Sequence, residues 1–108
     1  MTSNRIEKIQ AMLVDEPTDT FLRYSLAMEQ EKIGEHAASE QGLRGLMADE
    51  PPYVPAFFML GQHLASRNQA NDARAVLRDG IDQARQQKND HAAGEMSEFL
   101  ASLGDMGE

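Results

Sequence analysis

The chain contains no cysteine and no tryptophan among its 108 residues, and only 6% of its residues are aromatic. Without cysteine, neither a disulfide scaffold nor a thiolate zinc site is available. The lack of cysteine also fits a reducing compartment, and we expect a cytoplasmic protein. No apolar run approaches the ~18 residues that a membrane-spanning helix needs, and the N-terminus lacks the basic-then-apolar order of a signal peptide. The composition therefore predicts one small domain that does not enter a membrane.

Positive charge is also scarce, since 10 Lys and Arg face 18 Asp and Glu and the net charge is −8. An acidic protein is poorly suited to nucleic acid, because phosphate binding needs a basic surface. The charge is uneven: residues 19–51 sum to 3 − 7 = −4, residues 52–88 to 5 − 3 = +2, and residues 89–108 carry five acids and no Lys or Arg. A basic middle between acidic ends would support self-association, whereas a solvated surface of mixed charge is the simpler interpretation. Three arginines of the middle segment are expected to pair with nearby acids: Arg74, Arg78 and Arg85.

No catalytic or metal-binding pattern is present. The serines lie apart, without a strained elbow or a Gly-rich loop beside any of them: Ser25, Ser39, Ser66 and Ser97. His91, Glu95 and Glu98 could share one helix face and hold a divalent ion, but a solvated polar face is the favoured interpretation. We therefore predict a non-enzymatic protein with no cofactor and no metal site.

Apolar residues recur at helical spacing in six segments, and no alternating β-branched run interrupts them. The second segment illustrates the pattern, with a stripe expected from Phe21-Leu22, Leu26 and Ile33. Thr18 or Asp19 is suited to cap its start, and Gly34 to end it. The connections are short, which favours antiparallel neighbours. The sequence predicts an all-α fold of about six helices.

The tripeptide Asp-Glu-Pro ends at Pro17 and again at Pro51, which gives an offset of 51 − 17 = 34, called the repeat offset below. The same offset aligns two turn residues, Gly34 and Asn68. It also aligns residues of similar size in the neighbouring helices: Leu26 with Leu60, Ala27 with Gly61, Ser39 with Ala73, and Leu43 with Leu77. Agreement of turn, large and small residues at one offset indicates an internal repeat.

A helix–turn–helix unit of this length resembles the tetratricopeptide repeat, whose pattern is W-x2-L-G-x2-Y, then A-x3-F, then P. The better copy places matching residue types at Phe57, Leu60, Gly61, Leu64, Ala73 and Leu77. We expect Gly61 to face Ala73 across a close helix contact, since both are small. The first copy departs from the pattern, with Arg23 at the aromatic position and Gln30 at the Tyr position.

The resemblance implies a short right-handed solenoid of antiparallel helix pairs. Its expected divisions are a half-repeat at 5–17, repeats at 18–51 and 52–88, a capping helix at 89–104 and a tail at 105–108. The last helix is interpreted as a cap because bulky Leu100 falls where the repeat pattern has a small residue, and solenoids need terminal elements that close an apolar face.

Tetratricopeptide proteins typically bind peptide segments in a concave groove lined by the first helix of each repeat, which implies a protein-binding adaptor here. By position, the groove residues would be Phe21, Tyr24, Ser25, Met28, Lys32, Phe58, Met59, Gln62 and Ser66. With only Lys32 as a groove cation, capture of a C-terminal carboxylate is not expected, and the partner would be an amphipathic helix or an apolar peptide. Three alternatives stay open: these residues are ordinary core, the chain is a self-associating homo-oligomeric module, or it is a secretion-chaperone-like client binder.

Overall fold

The computed structural model describes residues 4–104, and this part of the chain is helical throughout, without a strand. The prediction of an all-α fold with six helices is confirmed. The helices are α1 (Asn4–Asp15), α2 (Thr20–Lys32), α3 (His36–Met47), α4 (Val54–Ser66), α5 (Ala70–Gln86) and α6 (Asp90–Leu103). None of the six is both long and apolar enough to cross a membrane. The predicted tail at 105–108 lies outside the described residues.

The helices form two compact units. The first contains α1, α2 and α3 and ends at Tyr53, and within it α2 packs against both α1 and α3. The second begins at Val54 and contains α4, α5 and α6. Within it α5 packs against α4 and against α6, and α4 also contacts α6.

The buried face of α2 differs from the predicted stripe. Leu22 and Ala27 are buried as a helical face requires, but Phe21 is 71% exposed and Ile33 is 37% exposed. The stripe passes instead through Glu29, which is buried and forms ion pairs with Arg5 at 3.4 Å and with Lys32 at 3.1 Å. Apolar spacing could not reveal this, because the position on the α1-facing side is occupied by a paired charge rather than by a hydrophobic residue.

Helix ends follow the turn residues that the sequence indicates. Asp19 caps α2, since its carboxylate accepts a hydrogen bond from the amide of Leu22 at 2.9 Å. Gly34 ends α2 with φ of +85° and Asn68 ends α4 with φ of +61°, the left-handed conformation expected there. At both ends the residue after the left-handed one donates its amide to a carbonyl five residues earlier: Glu35 to Gln30 and Gln69 to Leu64, each at 2.9 Å.

The same turn recurs a third time, between α5 and α6. There Lys88 takes the left-handed conformation with φ of +60°, and the amide of Asn89 donates to the carbonyl of Ala84 at 2.7 Å. Asn89 also caps α6 by accepting a hydrogen bond from the amide of Ala92. A lysine in this conformation carries a steric cost that glycine or asparagine lacks, so the sequence gives no signal for it.

Both helix pairs approach closely at positions related by the repeat offset. In the first unit, the buried hydroxyl of Ser39 on α3 donates to the carbonyl of Ala27 on α2 at 2.7 Å. In the second, a side chain on Gly61 would place its Cβ 2.7 Å from a methyl carbon of Leu77. The close contact of α4 with α5 is thus present, but the nearest residue to Gly61 is Leu77 and not Ala73, the partner predicted for it.

The second unit has a further tight contact where all three of its helices meet. A Cβ on Gly80 of α5 would lie 2.5 Å from the Cβ of Phe57 on α4 and 2.7 Å from the sulfur of Met96 on α6. Phe57 and Met96 are both buried at this point. Glycine at residue 80 therefore allows the three helices to share one core, and this core sets the spacing between α4 and α6.

Candidate functional site

The surface between α4 and α6 carries two adjoining open depressions, both within the second unit. The first has a volume of about 350 Å³ and is lined by Phe58, Glu95, Glu98, Phe99 and Ser102. The second has a volume of about 380 Å³ and is lined by Gln62, Ala65, Ser66, Phe99, Ser102 and Leu103. Because Phe99 and Ser102 line both, the two depressions form one continuous surface, which we call the α4–α6 groove.

An aromatic pair forms the floor of the α4–α6 groove at one end. The rings of Phe58 and Phe99 meet edge to face, with centroids 5.9 Å apart and planes inclined by 61°. Both side chains are half-buried, so part of each residue remains accessible to solvent. Phe57, one residue earlier, points into the shared core. Adjacent phenylalanines thus divide into one core residue and one surface residue.

The predicted groove residues of α4 are mostly brought together here. Phe58, Gln62 and Ser66 follow one another at intervals of one helical turn and all line the α4–α6 groove. Met59 is half-buried and does not line either depression. Three of the four positions that the repeat pattern assigns to this helix therefore share one surface with α6.

The predicted groove residues of α2 have other surroundings within the first unit. The ring of Tyr24 meets the ring of Tyr53 edge to face at 5.4 Å, and burial, together with the charge of Tyr53, raises the pKa of Tyr24. Lys32 pairs with buried Glu29, while Ser25 and Met28 are half-buried. Phe21 is the most exposed of the five predicted residues.

The residues that α6 contributes to the groove were not among the predicted site residues. Glu95, Glu98, Phe99, Ser102 and Leu103 were assigned to a capping helix or to a solvated face. The signal that identifies them is their spacing, since they recur every three or four residues on one face of α6. That face packs partly against α4 and leaves the rest open.

Buried Arg74 positions the end of α6. Its side chain is only 5% exposed, and its guanidinium donates to the carbonyl of Leu103 and to the side chain of Asn71, each at 2.7 Å. The sequence predicted a pairing of Arg74 with nearby acids, but it indicated neither this burial nor the bond to α6. A guanidinium can satisfy carbonyl groups that the last turn of a helix leaves without partners, so Arg74 anchors the helix that carries Phe99 and Leu103.

Two serine hydroxyls are among the polar groups of the groove. The hydroxyl of Ser66 donates to the carbonyl of His63 at 2.7 Å, and that of Ser102 to the carbonyl of Phe99 at 2.6 Å. Both hydroxyls are thus engaged by their own helices. The Nε2 atom of exposed His91 lies 3.4 Å from a carboxylate oxygen of Glu95, and within residues 4–104 no three acidic or histidine side chains gather around a common point that could hold a metal ion.

Comparison with known proteins gives a fold but no family. No family model matches the chain, and no curated protein matches it. A solved structure that resembles it is the solution structure of a Bordetella parapertussis protein determined as a structural genomics target. The TM-score is 0.79 and the sequence identity 24%, over 97% of this chain and 90% of that chain. At this identity the likeness establishes a shared helical fold alone.

Proposed function

We propose that this chain is a non-enzymatic adaptor that binds a peptide or helix of a partner protein, with the α4–α6 groove as its binding site. The observation that carries the proposal is the half-buried aromatic pair of Phe58 and Phe99, which lines the first of two adjoining open depressions and, through Phe99, the second. Aromatic side chains that remain partly exposed in a concave surface are typical anchors of protein recognition. The depressions are at the lower end of the roughly 300–1,000 Å³ of ligand pockets, which suits single side chains of a partner.

The proposal includes a tetratricopeptide-like architecture for the chain. It is supported by two helix pairs whose turns and close contacts recur at the repeat offset. In that architecture the first helices of successive repeats run parallel along one concave face. The lining residues are in the order expected of parallel helices. Phe58, in the second turn of α4, shares a depression with Glu95 in the middle of α6, and Ser66, at the end of α4, shares one with Leu103 at the end of α6. A cytoplasmic location is part of the same proposal and fits the lack of cysteine.

The test is to select peptides on the folded chain from a random displayed library and to map their contacts. Selected peptides are synthesised and titrated while backbone amide NMR spectra are recorded. We expect the amide shifts to change along α4 and α6, above all at Phe58, Gln62, Phe99 and Ser102. Failure to select any peptide, or shift changes confined to the first unit, would contradict the proposal.

A second candidate function is self-association, and one observation favours it. Three large hydrophobic side chains of the first unit are exposed close to the connection between α1 and α2: Met12 by 48%, Val14 by 80% and Phe21 by 71%. Exposed apolar residues that cluster can mark an interface. Light scattering on the chain alone distinguishes the two functions, because the adaptor is expected to be monomeric without a partner. A stable homo-oligomer that Phe21→Glu dissociates would establish the alternative.

A further inference from the structure

Charge is strongly segregated around the α4–α6 groove. Helix α4 contains no Asp, Glu, Lys or Arg, and α6 contains three acids and no Lys or Arg. Two of those acids, Glu95 and Glu98, line the groove beside the aromatic pair. The cations of residues 54–104 lie on other parts of the second unit, and none of them lines either depression: Arg67, Arg74, Arg78, Arg85 and Lys88. The groove is thus apolar along its floor and negative at one rim.

We propose that the occupant of this groove is a cationic amphipathic helix, with its apolar face against Phe58 and Phe99 and its Lys or Arg side chains beside Glu95 and Glu98. The inference rests on the proposed function and specifies its partner. Opposite charges at the rim of an interface speed association and select among partners that offer the same apolar face. A partner with acidic residues at those positions would be repelled by both glutamates.

A helix fits the groove better than an extended peptide does, because the groove offers few partners for a peptide backbone. Its walls are two helices whose own backbones are hydrogen-bonded internally. The hydroxyls of Ser66 and Ser102 donate to carbonyls of their own helices, which leaves the amide of Gln62 and the rim carboxylates of Glu95 and Glu98 as the polar groups of the lining. A helix satisfies its backbone within itself, whereas an extended segment would leave donors and acceptors without partners on an apolar floor.

The length of the groove sets the expected spacing of the partner's anchors. From Phe58 to Ser66 the groove follows α4 for eight residues, about 12 Å at the helical rise of ~1.5 Å per residue. The partner is therefore expected to insert apolar side chains one and two turns apart, at i, i+4 and i+7. The cationic residues would lie on the flank of the partner helix that passes over Glu95 and Glu98.

The experiment compares two synthetic peptides with the same apolar positions and opposite charge. One has Leu at i, i+3, i+4 and i+7 with Lys elsewhere, and the other has Glu in place of each Lys. Binding to the full chain is measured by calorimetry, helix formation in the peptide by circular dichroism, and location by amide NMR shifts. We expect the Lys peptide to bind at Phe58 and Phe99, to gain helix, and to bind at least tenfold more tightly than the Glu peptide.

Two double variants distinguish the effect of the rim glutamates on affinity from the effect of net charge. Glu95→Gln combined with Glu98→Gln is expected to weaken the Lys peptide about tenfold, or ~1.4 kcal/mol, and to reduce its sensitivity to salt. Asp79→Asn combined with Asp82→Asn removes the same charge from the exposed face of α5, and is expected to change affinity less than twofold. Thermal melts confirm that both variants fold.

The outcomes distinguish the cationic helical partner from the adaptor function itself. Three results would overturn the cationic helical partner and leave the adaptor function standing. They are equal binding of both peptides in the groove, an equal loss of affinity in the two charge variants, and binding without a gain of helix. If neither peptide binds, and the peptides selected from the random library also leave Phe58 and Phe99 undisturbed, the adaptor function at this groove falls together with it.

Discussion

The two helical units use the same turns, and each has a close helix contact at positions that the repeat offset relates, Ala27 and Gly61, but the units are filled differently. Among the described residues, six hydrophobic side chains are buried in the first unit and fourteen in the second. The first unit compensates with polar contacts, including a buried glutamate with two ion pairs and a buried serine hydroxyl. A small helical unit with few buried apolar groups depends on such contacts for its geometry, whereas a larger apolar core fixes geometry by packing.

The difference is clearest at one position that the repeat offset makes equivalent. In the second unit Phe57 packs on Gly80 and Met96. In the first unit the equivalent residue is Arg23, whose guanidinium donates two hydrogen bonds to Asp49, at 2.6 and 3.2 Å. The two units thus use this position for contacts of different chemistry: apolar packing between helices in the second, and in the first a salt bridge from α2 to the residue two positions after the end of α3. Apolar filling in the second unit is also what holds α6 beside α4 and forms the groove.

The largest effect is expected from filling the close contact between α4 and α5 at Gly61. Gly61→Leu places a side chain where even a Cβ would lie 2.7 Å from Leu77, so the free energy of unfolding should fall by about 3 kcal/mol. The matched control is Gly94→Leu, since nothing lies within 4 Å of a Cβ at Gly94. Denaturant unfolding measures both, and an unchanged stability for Gly61→Leu would refute the pairing of α4 with α5.

A somewhat smaller effect is expected from the arginine that anchors α6. Arg74→Met removes the donors that reach Leu103 and Asn71 and should cost about 2 kcal/mol, because a buried carbonyl loses its partner. Amide exchange should accelerate in the last turn of α6. Arg78→Met is the control, since Arg78 is exposed on the same helix. Equal losses for the two variants would show that Arg74 has no special role.

The polar bridge of the first unit is expected to contribute less than the apolar contacts of the second. Because the side chains of Arg23 and Asp49 are 26% and 32% exposed, solvent screens the pair, and a double-mutant cycle to alanine should give a coupling of about 1 kcal/mol. Arg44 and Glu40 on α3, a more exposed pair at 2.9 Å, should give about 0.3–0.5 kcal/mol. If the coupling energy of Arg23 with Asp49 is no larger than that of Arg44 with Glu40, this bridge contributes no more than an ordinary surface ion pair.

The smallest effect concerns pH. Burial, with a contribution from Tyr53, raises the pKa of Tyr24 above its ordinary value of 10.0. The folded state therefore holds this proton more tightly than the unfolded state, and stability is fully present below pH 10.0 and is lost as pH rises through the raised pKa. In Tyr53→Phe, where Tyr24 is the only tyrosine, tyrosinate absorbance should appear above pH 10.0 in the folded chain and near it in denaturant.

The helices could be predicted from the sequence because local signals determine them. Asp19, Gly34 and Asn68 act through caps and backbone conformations that depend on neighbouring residues alone. Contacts between distant positions could not be predicted in this way. Burial of Glu29 and Arg74 depends in part on Arg5 and Leu103, which other helices bring to them, and a lysine gives no local signal for the left-handed conformation that Lys88 adopts.

The candidate groove was predictable on one side only. The repeat pattern assigned Phe58, Gln62 and Ser66 to a groove because it fixes which face of α4 is turned inward. The opposite wall was missed because Leu100 led to the interpretation of α6 as a cap, while Phe99 beside it faces Phe58. A helix can close one face of a core and still present another face to a partner.

Paired truncations of phenylalanine test whether the second unit carries the binding surface. The measurement is the affinity of a library-selected peptide for Phe58→Ala and for Phe21→Ala, with thermal melts of both. We expect Phe58→Ala to weaken binding about thirtyfold, or ~2 kcal/mol, and to lower the free energy of unfolding by about 2–3 kcal/mol, because it removes both the half-buried area of the ring and its contact with Phe99. Phe21→Ala, which truncates an exposed ring of the first unit, should bind as the unaltered chain does. If Phe58→Ala binds the peptide unchanged, or if only Phe21→Ala loses affinity, the second unit does not carry the binding surface.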